Sequence, residues 1–158
     1  MKRTKNITFA ALTAGLYVVL TLIASMMGLS NGVIQIRFSE ALTILPVFSP
    51  SAIPGLTLGC MIANVIGGAH IFDVIFGSIA TLIGAVFTYV LRKNKYLAVL
   101  SPIISNTVII PFILSYVYHF EGALWYFAVT VFIGEVISCG VLGLWLHRFL
   151  EKHSDRIF

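Results

Sequence analysis

The sequence predicts an all-α membrane protein: six transmembrane helices in one compact domain over residues 1–158, with both termini cytoplasmic. Three observations lead there. Of the 158 residues, 59% are hydrophobic and only 10% are charged, against about 25% charged in ordinary soluble domains. Such a chain cannot cover its surface with polar groups and stay monomeric in water. That excludes a soluble enzyme, a disordered chain and a disulfide-stapled secreted module. Next, residues 6–36, 41–72, 74–91 and 96–120 carry no charged side chain, and about 20 apolar residues suffice for one helical crossing. Finally, the basic residues form three islands flanking these runs: Lys2, Arg3 and Lys5, then Arg92, Lys93 and Lys95, then Arg148, Lys152 and Arg156. No basic patch forms, so nucleic acid is not an expected partner.

Turn signals divide the runs. The first helix spans about 7–27 and ends at Gly28 and the Ser30-Asn31-Gly32 turn. Its apolar stretch exceeds the 7–15 residues of a signal-peptide core, so it reads as a retained helix. The second, about 38–48, is short and stops before Pro50. The third covers about 52–66, with Pro54 near its start and Gly67-Gly68 at its end. The fourth, fifth and sixth cover about 73–91, 96–117 and 123–146. The roughly ten-residue alternating strands of a membrane barrel are missing, and backbone groups in lipid then require helices.

Orientation tests the short second segment. With six spans, nine of the ten basic residues share one face and only Arg37 lies on the other. The positive-inside rule makes that face cytoplasmic. Five spans would divide the charges six to four or worse. Six is the expectation.

Ionisable groups cost about 2.5–3.5 kcal/mol or more at mid-bilayer, so each needs a reason. Arg37 and Glu40 lie where the first outer loop enters the second helix; they form an i,i+3 ion pair or face a ligand. Asn64 is near the outer end of the third helix. Asp73 either caps the fourth helix or contacts a ligand. His70 reads as interfacial and Glu121 as solvated. Asn106 and Glu135 fall near mid-membrane. Asn106 suits a helix–helix hydrogen bond, whereas a lone mid-span carboxylate must be protonated, paired or facing a wet cavity. The polar set therefore gathers in the middle and outer membrane.

Tyr116, Tyr118, Phe120, Trp125, Tyr126 and Phe127 crowd the outer junction of the last two helices. They suit an interfacial belt, and one or two suit a pocket that stacks a flat ring. Cys60 and Cys139 lack metal-ligand spacing and read as buried small residues. Small residues recur at four-residue spacing, as in Gly55, Gly59, Ala63 and Gly67, where helices approach closely. In the first helix, Ala10 and Ala14, with Ala11 and Gly15 beside them, serve either internal packing or a partner's helix. The sequence holds no GxxxxGK[ST], HExxH or GxSxG motif, so any uphill transport draws its energy from an ion gradient or another subunit.

The stretch from Val33 to Pro46, with its Arg37-Phe38-Ser39-Glu40-Ala41-Leu42 element, resembles the QueT family, as do Asn64-Val65-Ile66-Gly67-Gly68 and Asp73–Ser78. These are substrate-binding S components of energy-coupling-factor importers associated with queuosine precursors. The resemblance spans essentially the whole chain. It implies an S-component-like bundle with an outward-facing pocket, gated by the loop from about Leu29 to Ile36. It also implies docking through Ala10 and Ala14 onto a transmembrane coupling subunit (the T component) driven by two cytoplasmic ATPases. No cofactor or metal is expected. A 7-deazaguanine ring presents two adjacent N–H donors and a carbonyl; a carboxylate matches the donors, and Asn or Arg the carbonyl. Glu135 and Asn106 are the candidates for the ring edge, Glu40 or Asp73 for a cationic arm, with Arg37 orienting a carboxylate. Asn64, Tyr116 and Trp125 complete the candidate pocket. The alternatives are an S component for a thiamine-like or pyrimidine compound, or an intramembrane enzyme using His70, Asp73 and Glu135. The enzyme reading lacks a recognisable nucleophile–base pair.

Overall fold

The computed structural model describes residues 2–29, 34–118 and 122–157, which form helices and no strands. Four helical stretches are long and apolar enough to cross a membrane: Arg3–Met26, Ile71–Val90, Lys95–Tyr116 and Leu124–His153. Two apolar helices are shorter, Phe38–Val47 and Ala52–Ile66. Helix α1 is Lys2–Met26, α2 Ala52–Ile66, α3 Ile71–Val90, α4 Lys95–Tyr116, α5 Leu124–Glu135 and α6 Gly143–Ile157. A π-helical segment, Val136–Leu142, joins α5 to α6. The last helix therefore runs on past the expected end at 146.

The second segment is not an α-helix. Phe38–Val47 is a 3₁₀ helix, and every residue from Ser39 to Pro46 is buried. It lies at the centre of the bundle against α1, α3, α6 and the π segment. The Thr43 hydroxyl donates to the Glu40 carbonyl at 2.6 Å, and Pro46 has no N–H for a further backbone bond. Hydropathy detects such a segment but not its tighter winding.

Helix α1 buries one stripe, Thr13, Tyr17, Thr21 and Ala24, and exposes Leu12, Leu16, Val19 and Ile23. Across the molecule large apolar side chains face outward, the inverse of a soluble globule. The Ala10 and Ala14 backbones meet α2. A Cβ on Gly55 would stand 2.5 Å from the Ala10 carbonyl oxygen, and one on Gly59 would stand 3.0 Å from that of Ala14. Ala11 and Gly15 face outward instead.

Helix α4 begins at Asn94, whose Oδ1 accepts from the backbone N–H of Tyr96 and of Leu97 at 3.0 and 3.5 Å. It contains Pro102 and Pro111. Pro102 cannot donate to the Ala98 carbonyl four residues earlier; the buried Thr88 hydroxyl of α3 does so at 3.0 Å. Thr88→Val keeps the shape and removes the donor. The expected cost is about 1–3 kcal/mol, the usual penalty for an unsatisfied buried group, read as a lower melting temperature in detergent. An unchanged melting curve would refute this role.

Candidate functional site

Two connected cavities hold most of the polar residues singled out above. The larger is about 320 Å³, at the lower end of the range for small-molecule sites. Arg37, Asn64, Asp73, Gln35 and Tyr118 supply its polar lining. The smaller is a cleft of about 20 Å³ bordered by Glu40, Thr81, Asn106 and Glu135. Gln35, Arg37 and Ile110 border both.

The elements explain the placement. Asp73 sits in the first turn of α3, where the helix dipole favours a carboxylate. The cap itself is His70, whose Nδ1 accepts from the Phe72 N–H at 3.4 Å. Asp73 therefore turns to the cavity: its Oδ2 accepts from the Tyr118 hydroxyl at 3.2 Å, and the Tyr118 hydroxyl oxygen in turn accepts from the His70 N–H at 3.2 Å. Burial pushes the Tyr118 phenol above its ordinary pKa, so it stays protonated and able to donate. Asn64 Nδ2 donates to the Asp73 carbonyl at 3.3 Å.

Arg37 enters on the chain leading into the 3₁₀ helix. Its N–H donates to the Ser138 hydroxyl of the π segment at 3.2 Å, and its Nη2 to Gln35 Oε1 at 3.2 Å. Gly134 of α5 lets this chain approach, since a Cβ there would stand 2.2 Å from the Gln35 carbonyl oxygen. No ion pair of 4.0 Å or less joins Arg37 to Glu40, so the i,i+3 pair considered for them does not form.

Deeper in, Glu40 is only 2% exposed. It accepts from the Tyr17 hydroxyl through Oε1, while its buried Oε2 has no hydrogen-bond partner. Asn106 Nδ2 donates to Glu135 Oε1 at 2.9 Å, and the Cys139 thiol donates to Glu135 Oε2 at 3.1 Å. Ligating atoms of Glu40, Glu135 and Cys139 lie within 4.8 Å of one another, close enough to hold one cation.

The structure thus gathers Arg37, Glu40, Asn64, Asp73, Asn106 and Glu135 into one polar system. Tyr116 and Trp125 stand apart, 71% and 70% exposed. Tyr116 stacks on Phe112 beside an outer apolar groove, and Trp125 packs edge-on against Tyr126. Helical phase turns both rings outward, and the aromatic at the cavity is Tyr118. Glu121 lies outside the described residues. Sequence reasoning missed Tyr17, Gln35 and the pairing of Cys139. The four-residue spacing of Thr13, Tyr17 and Thr21 was the available signal for the first.

Four helices long and apolar enough to cross a membrane, packed around a partly open polar cavity, mark a multi-pass membrane protein. The chain belongs to the QueT transporter family, whose model matches residues 7–152. Membership in a transporter family sets the intramembrane-enzyme reading aside. The queuosine precursor transporter QueT of Lactococcus lactis subsp. cremoris (strain MG1363) is 39% identical over 85 residues, or 52% of this chain and 50% of that protein. The chain thus spans about half the length of the curated relative it matches. No solved structure matches it.

Proposed function

We propose that this chain is the substrate-binding S component of an energy-coupling-factor importer and captures a queuosine precursor, a 7-deazaguanine-type base or nucleoside. The observation that carries this reading is the 320 Å³ cavity with Asp73, Asn64 and Arg37 on its wall. The Asp73 carboxylate matches the two N–H donors of the ring edge, and Arg37 has donors for the carbonyl. Tyr118 offers an aromatic face. Family membership and the Lactococcus relative support the substrate class.

The chain crosses the membrane six times, the 3₁₀ helix and α2 included, with both termini cytoplasmic. The ring of Phe48 packs 5.0 Å from that of His147, which brings the turn before α2 to the end of the molecule where α6 begins. His70, Tyr118 and Asp73 meet at the other end. The cavity therefore opens away from the basic islands, toward the outside, with Gln35 and Arg37 on its wall; residues 30–33 of the proposed gating loop lie outside the described residues. A coupling subunit driven by two ATPases docks on the outward side of α1, beside Ala10 and Ala14. The outward-facing Ala11 and Gly15 supply the close-approach surface there, because the Ala10 and Ala14 backbones already meet α2.

The test is thermal melting of the purified protein with a panel of deazaguanines, thiamine-like compounds and pyrimidines. A true ligand at a hundredfold excess over Kd stabilises by about 2.7 kcal/mol. A rise with a deazaguanine and none with the vitamins is expected. A response confined to a vitamin transfers the assignment to that compound.

A further inference from the structure

The small cleft asks for a positive charge. Among the polar groups of the two cavities stand three carboxylates, Glu40, Asp73 and Glu135, and one guanidinium, Arg37. Arg37 forms no ion pair of 4.0 Å or less with any of them. Both oxygens of Glu135 have donors, from Asn106 and Cys139. Glu40, which borders the cleft, is different: Oε1 accepts from Tyr17, while Oε2 is buried with no hydrogen-bond partner. A buried acceptor left unmatched costs about 1–3 kcal/mol, and a buried charge demands a counter-charge.

Size narrows the occupant. A water-sized group needs roughly 10–15 Å³ of cavity measured this way, and the cleft offers about 20 Å³. A ring does not fit; one nitrogen does. A primary ammonium carries three donors and no acceptor, and the oxygens of Glu40 and Glu135 fall within one 4.8 Å cluster. The larger chamber, which meets the cleft at Gln35, Arg37 and Ile110, has the room for the ring.

We propose that the cleft between Glu40 and Glu135 receives a single ammonium group on an arm of the ligand whose ring lies against Asp73 and Arg37. This rests on the binding function proposed above and makes the substrate an amine-bearing base. It exchanges the sequence-based roles of the two carboxylates: Asp73 serves the ring edge, and Glu135, with Glu40, serves the arm.

The experiment titrates wild type, Glu40→Gln and Glu135→Gln with a 7-deazaguanine bearing an aminomethyl arm and with the same ring bearing a neutral nitrile arm. Wild type should bind the amine at least tenfold more tightly. Glu40→Gln should lose at least tenfold for the amine and little for the nitrile. Glutamine keeps an acceptor for the Tyr17 hydroxyl; should that variant nevertheless unfold, Glu135→Gln carries the comparison. Equal wild-type affinity for both compounds, or a preference that survives both substitutions, overturns the proposal. Failure to bind any deazaguanine defeats the broader function instead, and the cleft is then read with methylammonium chloride. A melting shift in wild type that Glu40→Gln abolishes supports the ammonium site, and no shift overturns it. An equal shift with sodium or zinc chloride, also abolished by Glu40→Gln, overturns it in favour of an inorganic cation.

Discussion

Gly134→Ala should cost at least a hundredfold in ligand affinity, about 2.8 kcal/mol at 1.4 kcal/mol per decade, although it adds one methyl group and touches no proposed ligand contact. The new Cβ would lie 2.2 Å from the Gln35 carbonyl oxygen and 3.1 Å from its carbon. These are backbone atoms, so the chain itself must move. That chain carries Arg37, anchored by its N–H to Ser138, and continues into the 3₁₀ helix that positions Glu40. Both cavities lose alignment together. Gly140→Ala is the control: its Cβ would meet only Val136 Cγ1, at 3.7 Å, and should leave binding intact. Calorimetric titration of both proteins checks the pair. Wild-type affinity in Gly134→Ala would contradict the anchoring role of this contact.

Gly55→Val should strike stability. A Cβ at Gly55 would stand 2.5 Å from the Ala10 carbonyl oxygen and 2.9 Å from Thr13 Cβ, so α1 must separate from α2. Overpacking of this kind costs about 1–3 kcal/mol, occasionally more. Lipid offers no hydrophobic drive to hold the helices together, because packing itself supplies the attraction. At about 2–4 °C per kcal/mol for a chain of this size, the melting temperature should fall by about 2–12 °C. Gly15→Ala, with nothing within 4 Å of its Cβ, should melt as wild type does. A Gly55→Val protein that melts with wild type would show that the two helices are not in close contact.

Much of this was legible in the chain because lipid punishes exceptions. Glu135 and Asn106 stood out as polar groups deep in apolar runs, and they form a hydrogen-bonded pair. Arg37, Asn64 and Asp73 gathered at one end for the same reason. The depth of Glu40 was not legible. Read at an outer helix start, it sits 2% exposed beside Tyr17, because the 3₁₀ winding and full burial of Ser39–Pro46 have no hydropathic signature. The aromatics were equally ambiguous. Composition placed Tyr116, Tyr118 and Trp125 together, whereas only helical phase separates the ring at the cavity from the two facing outward. Cys139 passed for a small apolar residue, and its thiol serves Glu135.

The unequal lengths of the helices bear on the surrounding bilayer. Helix α4, with 22 residues, reaches about 33 Å at 1.5 Å per residue, and the 15 residues of α2 reach about 22 Å. The hydrocarbon layer is about 30 Å thick. Yet α2 presents Leu58, Met61, Ile62 and Val65 outward. If α2 crosses as proposed, lipid beside that flank must thin, at a fraction of a kcal/mol per ångström of mismatch. The proposed six-span arrangement is thus hydrophobically lopsided, with a thinner collar of lipid along one flank.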